Sequence, residues 1–342
     1  MMASANTTDP SAGAPRPAAD GFRLDIWASR PPCIEVLATG PSATVQDLGR
    51  PGLAELGVGP SGAADRPSLR LANRLVGNPE SHAGIEFTFG GLVLRFTRAA
   101  LIAFAGAPCP LWVCRVSGAS EASRAGDMYA PIYVYAGDEV RVGPPSAGMR
   151  SYLAVRGGIA VPPVLGARAT DTLAGLGPSP LMVGSLLPIG DAAMDYPNAG
   201  FAPQRAYPDR PALRVLPGPR DHWLVDGALD ALCDPAGYEV TAESNRIGMR
   251  LAGPVLRHRH IRELPPEATV SGALQVPPSG QPILFLADHP VTGGYPVIAV
   301  VHPDDLPMAA QARPGQRVRF VPDREQRRFN AEVSAEKSER HP

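Results

Sequence analysis

Short runs of alternating or β-branched residues recur along the middle of the chain, each closed by a turn-forming residue. They are IEVLA (34–38), GLVLRF (91–96), ALIAFAG (100–106), IYVYAG (132–137), DEVRVG (138–143), SYLAVRGG (151–158), LRVLPG (213–218), PILFLAD (282–288), VIAVV (297–301) and QRVRFV (316–321). Period-two patterning bounded by Gly, Pro and Asp predicts strands, and their density predicts a mainly β fold. One segment has the other period. In PSLRLANRLVG, starting at Pro67, Leu69, Ala72, Leu75 and Val76 fall on one face, which predicts a helix stopped at Gly77.

The pattern also echoes itself. Ile34-Glu35-Val36-Leu37, Gly40-Pro41 and Val45-Gln46-Asp47 correspond to Leu213-Arg214-Val215-Leu216, Gly218-Pro219 and Val225-Asp226. Asp65-Arg66 with Leu69–Ala72 corresponds to Asn245-Arg246 with Met249–Ala252, and Ala136–Val142 corresponds to Pro314–Phe320. All three echoes keep an offset of roughly 180 residues, the mark of a duplicated β unit. The division this predicts is a disordered Ala/Pro/Ser-rich tail over 1–30, a first unit with a linking segment over 31–212, a second unit over 213–322 and a charged tail over 323–342.

Composition narrows the chemistry. The 342 residues carry a net charge of -1, as expected of a globular chain of about two units. The start has no charged-then-apolar leader and no run approaches a membrane span, so the expectation is a cytoplasmic protein with no membrane partner. Cys33, Cys109, Cys114 and Cys233 form no CxxC pair and read as reduced structural thiols. Lys337 is the chain's single lysine. A Walker A loop and a Schiff-base lysine are thereby excluded, and no Met-Lys-Met biotin-attachment tripeptide occurs. The arginines are scattered among acids, which argues against nucleic acid as a partner.

The familiar catalytic signatures GxSxG and HExxH are absent. His258 and His260 would share one face of a strand without a third metal ligand nearby, so no metal site is expected. The candidate chemistry lies in polar, glycine-rich segments. In GPSATVQDLGRPG (40–52) and GVGPSGAADR (57–66), glycines free the backbone to present N–H groups, while Gln46, Asp47, Arg50, Ser61, Asp65 and Arg66 supply donors, acceptors and charge. The plainer alternative is a rigid loop held by an internal Asp47–Arg50 pair. In GALQVPPSGQPILFLADHPVTGGYP (272–296), Asp288, His289, Thr292 and Tyr295 surround the Gly293-Gly294 pair, and Gln275 precedes them. His289 titrates near neutrality, and Asp288 is the stronger candidate for positioning an amide N–H or accepting a proton.

These segments, with YLAVRGGI, VLGARATD, SNRIGMRLAGP and AQARPGQRVRF, resemble the allophanate hydrolase subunit 2 family, also called the biotin-dependent carboxyltransferase-like family. The resemblance runs from about Ile34 to Phe320 and implies two tandem cyclophilin-like β-barrels with short helices. It further implies work beside B-type and A-type subunits, as in bacterial 5-oxoprolinase, where ATP drives the opening of 5-oxoproline to glutamate. Positions matching the family pattern are Gln46, Asp47, Arg50, Ser61, Asp65, Arg168, Arg246, Gln275, Thr292 and Tyr295. Ala43, Ala64, Ala167, Ala169, Asn245 and Val291 depart from it, which bears on the substrate. The expectation is a small-amide enzyme subunit in which Asp47, Arg50 and Asp288 are catalytic. Gln46, Ser61, Asp65, Arg168, Arg246, Gln275, Thr292, Gly293, Gly294 and Tyr295 would bind substrate. Arg50, Arg246 and the Gly293-Gly294 backbone would stabilise negative charge on a lactam oxygen. The alternatives are carboxyl transfer from biotin to urea or a related amide, and a non-catalytic module that sequesters a B-type regulatory partner.

Overall fold

In the computed structural model, residues 33–323 are described, apart from 118–119, 198–199 and 261–263. The predicted tails at 1–30 and 324–342 lie outside the described residues. Each of the ten predicted runs contains a strand. The fold is mainly β, as the patterning requires.

The strands of the first unit form two antiparallel sheets over one core. The six-stranded sheet runs, in spatial order, Leu186–Pro188, Cys33–Thr39, Leu92–Phe96, Glu139–Val142, Leu111–Ser117 and Ser120–Gly126. Its alternation is visible in side-chain roles. Ile34 and Val36 point into the core opposite Phe96 and Leu94, while outward Glu35 meets Arg95, which also bonds Glu139 at 2.7 Å. Cross-strand ion pairs of this kind add a few tenths of a kcal/mol each, about 0.2–1.

The five-stranded sheet runs Ser42–Gln46, Gly84–Thr88, Arg150–Val155, Ala100–Gly106 and Pro131–Val134. Both faces of it are covered, so every residue of Arg150–Val155 is buried. Ile102, Phe104 and Leu153 face the core shared by the two sheets, whereas Ala103, Ala105 and Ala154 face outward. Those alanines make a flat bed for helix α1 (Arg66–Leu75), which sets Ala72, Leu75 and Val76 on them. The helix starts where the sequence permits: Asp65 accepts from the Ser68 N–H and Pro67 sits in the first turn. It stops at Gly77, in the left-handed conformation at φ +68°, as predicted.

The second unit closes into a seven-stranded barrel in the order Ala212–Pro217, Val297–Val301, Ala273–Gln275, Ile283–Phe285, Gly248–Ala252, Tyr238–Val240 and Arg317–Pro322. The last strand pairs parallel with the first, so no edge is left open. Leu213, Leu251, Leu274, Leu284, Ile298 and Phe320 fill the interior. Two shorter helices, α2 (Ala228–Leu232) and α3 (Leu306–Ala309), flank it. A two-stranded ribbon, Glu267–Ala268 with Thr292–Gly293, stands off the barrel and is tied down by Arg220, whose Nε lies 3.0 Å from both Glu267 carboxylate oxygens.

The repeat is partly structural. Ile34–Leu37 and Leu213–Leu216 both lie in strands, as do Glu139–Val142 and Arg317–Phe320, with Gly137 and Gly315 at positive φ before them, but Val225-Asp226 lies in no strand whereas Val45-Gln46 does. The middle echo does not hold. Asp65-Arg66 opens a helix, whereas Asn245 accepts from the Ile247 and Gly248 N–H groups and turns the chain into the strand Gly248–Ala252.

Where the chain approaches itself most closely, glycine is obligatory. A Cβ on Gly157, at φ +95°, would sit 1.9 Å from the Gly190 carbonyl oxygen, whereas one on Gly137, at φ +84°, would meet no heavy atom within 4 Å. Gly137→Ala should cost only the left-handed penalty of about 1–2 kcal/mol, and Gly157→Ala more than about 4 kcal/mol, in urea unfolding. Equal costs would show that the Gly157–Gly190 approach is not tight in solution.

Candidate functional site

The outward face of the five-stranded sheet beside α1 receives the barrel, and the seam between them is built from charge. Glu86 sits between core-facing Ile85 and Phe87, so its carboxylate points into the seam. There it accepts from Tyr152 Oη (2.7 Å), the Ala64 N–H (3.0 Å) and the Arg246 guanidinium arriving from the barrel. Arg246 also donates to both oxygens of Asp288 at 2.9 and 3.0 Å and to the Gly62 carbonyl at 2.6 Å.

Asp288 is 1% exposed and fully engaged. Its Oδ1 takes Ser61 Oγ at 2.7 Å, and its Oδ2 takes the Thr172 N–H and Oγ1 at 3.0 and 2.7 Å. Burial alone would raise this carboxyl, but Arg246, Ser61 and Thr172 outweigh burial and hold it below its ordinary range. Burial likewise works against the charge of Arg246, and Glu86 and Asp288 overcome it. A carboxylate with five donors and a depressed pKa is a poor general base. The structure therefore gives Asp288 a bracing role in place of the proton-accepting one expected from sequence.

Residues 169–172 are the hub around this pair. Gln46 Nε2 (2.9 Å) and Ser61 Oγ (3.1 Å) both reach the Thr170 carbonyl, and Arg50 Nη2 reaches the Ala169 carbonyl at 2.5 Å. Arg50 Nη1 lies 3.8 Å from Asp171 Oδ2, and Arg50 Nε has no hydrogen-bond partner among the described residues. The internal Asp47–Arg50 pair does not form. Asp47 instead accepts from the backbone N–H groups of Gly49 (2.8 Å) and Arg168 (2.5 Å), while the Arg168 side chain bonds the Val161 carbonyl. Gln46, Asp47, Arg50, Ser61, Arg246 and Asp288 are thus brought together in a buried lattice, which Arg168 joins through its backbone N–H.

Asp65 sits at the other end of the seam. Besides capping α1 it accepts from Gln311 Nε2 at 2.8 Å, and burial pushes its carboxyl up. Gln311, just past α3, also accepts the Met149 and Arg150 N–H groups and donates to the Arg150 carbonyl. Sequence reasoning did not single out Glu86, Tyr152, Thr172 or Gln311. Glu86 between two core residues was the available signal, because a charged residue inside a buried strand needs a partner.

Gln275, Thr292, Gly293, Gly294 and Tyr295 form a second group on the barrel and its ribbon. Gln275 is buried against Gly293, where a Cβ would lie 2.3 Å from its Nε2, whereas Thr292, Gly294 and Tyr295 are exposed. His289 joins the groups. It stacks on Phe285, and its Nδ1 lies 3.3 Å from Thr269 Oγ1 and 2.8 Å from the Pro290 carbonyl. A carbonyl only accepts, so Nδ1 carries the proton and Nε2 the lone pair; burial pushes the ring's pKa down. His258 bonds the Pro277 carbonyl and His260 lies edge-on to Trp223, and no three-residue metal cluster occurs among the described residues.

Beside the lattice, the seam opens into a cavity of about 360 Å³ between the start of α1 and the Leu286-Ala287 and 303–307 segments of the barrel unit. Ala63 and Ala64 of the second glycine-rich segment line it, together with Arg66, Arg70 and Arg205. At the α1 start the buried Asp65 carboxylate accepts the Ser68 N–H, so a phosphate in this cavity would rest on the arginine side chains and not on the helix N-terminus.

The family model for the carboxyltransferase domain, subdomains A and B, matches residues 56–322. The chain belongs to that carboxyltransferase family. It is 37% identical to the C-type subunit of 5-oxoprolinase from Escherichia coli K12, the match covering 84% of this chain and 90% of the relative. It is 32% identical to urea amidolyase of Lachancea kluyveri over 87% of this chain but 17% of that protein. The crystal structure of TTHA0988 superposes with a TM-score of 0.74 at 36% identity, covering 85% of this chain and 56% of that one. This carboxyltransferase-family chain therefore spans most of one relative and only a segment of the others. No helix among its described residues is long and apolar enough to cross a membrane.

Arg246→Ala or Asp288→Ala should each cost about 3–5 kcal/mol of unfolding free energy, and the double variant less than their sum. The Asp288 carboxyl is lower in the folded state than its ordinary 3.8, so its contribution is complete above that value and lost as pH falls through the folded one. Urea unfolding stability should fall below about pH 4, and fall less in Asp288→Asn. An unchanged acid profile in that variant would remove Asp288 from the account.

Proposed function

We propose that this chain is the C-type subunit of an ATP-dependent 5-oxoprolinase, acting with A- and B-type subunits to open 5-oxoproline to glutamate. The observation that carries the reading is the match to the Escherichia coli C-type protein over nine-tenths of its length. The urea amidolyase matches favour a second reading, the carboxyltransferase component of a biotin-dependent urea or amide carboxylase, but each involves a small part of a much longer chain.

On the main reading, ring opening adds water across the lactam C–N bond, and ATP makes the carbonyl a better electrophile. We place the nucleotide phosphates mostly on the partner proteins, since the described residues of this chain include no lysine, and the complex in the cytoplasm, where ATP is supplied. This chain supplies a rigid seam and a cationic cavity. Braced residues matter because misplacing a reacting group by about 1 Å costs on the order of a hundredfold in rate. Arg50 keeps its role as a candidate for oxyanion stabilisation, with one guanidinium nitrogen uncommitted.

The test is glutamate formation from 5-oxoproline and ATP with the chain and the A- and B-type proteins of its own genome, each omitted in turn. Product should appear only in the complete mixture. Absence of product from proteins that still co-purify would shift the reading to urea-type amides with a biotin carrier.

A further inference from the structure

The seam cavity carries an excess of guanidinium groups that the fold does not consume. Arg205 makes no hydrogen bond or ion pair with other described residues, and its charge acts through space on buried Asp65. Arg66 reaches only the Ser61 carbonyl, at 3.4 Å. Arg70, one turn along α1, lies 3.6 Å from Glu80, which is held more closely by Arg74 at 2.7 Å. Partial desolvation and the like charge of Arg70 press on the Arg66 cation more than the Asp47 carboxylate offsets, an arrangement that an anion in the cavity would relieve. The one carboxylate on the rim, Asp304, is turned to His302 at 3.7 Å.

The remaining wall is apolar: Leu286 and Ala287 from the barrel unit, and Leu306 and Pro307 from the start of α3. A guanidinium fork matches the planar oxygens of a carboxylate, and an apolar wall seats a short carbon skeleton. The volume, about 360 Å³, is at the small end of ligand pockets, which run from about 300 to 1,000 Å³. We propose that this cavity binds a small carboxylate-bearing molecule, with Arg66, Arg70 and Arg205 around the carboxylate and Leu286, Leu306 and Pro307 against its hydrocarbon part. That the molecule is 5-oxoproline rests on the proposed function; that it is a small carboxylate rests on the cavity alone.

The two are separable. The full-length chain is titrated calorimetrically with 5-oxoproline, glutamate, succinate, the uncharged lactam 2-pyrrolidinone and inorganic phosphate. Saturable binding is expected for at least one carboxylate and not for the neutral lactam. Arg66→Gln and Arg205→Gln should each weaken it about tenfold or more. Ala287→Leu leaves every charge in place but fills part of the cavity, and should weaken binding by about as much. Thermal unfolding of the three variants confirms that they fold. In the reconstituted complex, the arginine variants should raise KM for 5-oxoproline with little change in kcat. An active wild-type complex whose variants keep the wild-type KM overturns the carboxylate site and leaves the 5-oxoprolinase reading standing. An inactive complex, with arginine-dependent carboxylate binding by the chain, does the reverse. Binding as tight for the neutral lactam, binding of phosphate alone, or no binding of any carboxylate overturns the proposal.

Discussion

A single guanidinium, that of Arg246, joins Glu86 on the sheet of the first unit to Asp288 on the barrel, and the seam is organised around it. Taking these charges out of water costs several kcal/mol per ion unless every lone pair and proton finds a partner. That condition accounts for the surroundings: Tyr152 and the Ala64 N–H on Glu86, Ser61 and Thr172 on Asp288, the Gly62 carbonyl on Arg246. A buried ion cluster of this kind adds little net stability over an apolar seam, but it tolerates only one register. A shift of the barrel by one residue would part Arg246 from Glu86 and Asp288 from Ser61 and Thr172. The loops that hold these partners are the ones that line the cavity, so seam geometry and cavity shape are fixed together.

Some strands were legible because one face meets water and alternation survives in the sequence, as in Ile34, Glu35 and Val36, and others, such as Arg150–Val155, because their apolar run is unbroken. Ser42–Gln46 and Gly84–Thr88 escaped the pattern reading for the opposite reason. Thr44, Gln46 and Glu86 are polar yet buried, and period-two analysis reads such positions as exposed. The helix was legible because its apolar stripe and glycine stop are local. The middle echo misled because Asp65 and Asn245, similar in the alphabet, cap different structures.

The candidate site was legible as an assembly and not as a function of each member. Residue type placed Gln46, Asp47, Arg50, Ser61, Arg246 and Asp288 in chemically active segments, and the fold does gather them. Whether a gathered carboxylate is open to substrate or consumed by neighbours depends on partners more than 100 positions away, as with Thr172 and Asp288. Arg66 shows the converse. It was read as part of an echo and as one of several polar residues of its segment, with no role of its own, yet it lines the cavity, because its neighbour Asp65 turns inward to cap the helix and Arg66 is left facing outward.

The parallel pairing of Ala212–Pro217 with Arg317–Pro322 has a consequence for how the chain is made. The strand that opens the barrel cannot meet the strand that seals it until about a hundred further residues have left the ribosome. Until then the barrel half presents an unsealed sheet edge and an apolar interior, although Arg246 and Asp288, beside two neighbouring paired strands, already meet. The first unit, complete in sequence well before, offers Glu86 as a preformed docking point. Loop closure of this span is slow relative to local pairing. A nascent chain stalled within the final strand would hold one folded half and one whose barrel is still open.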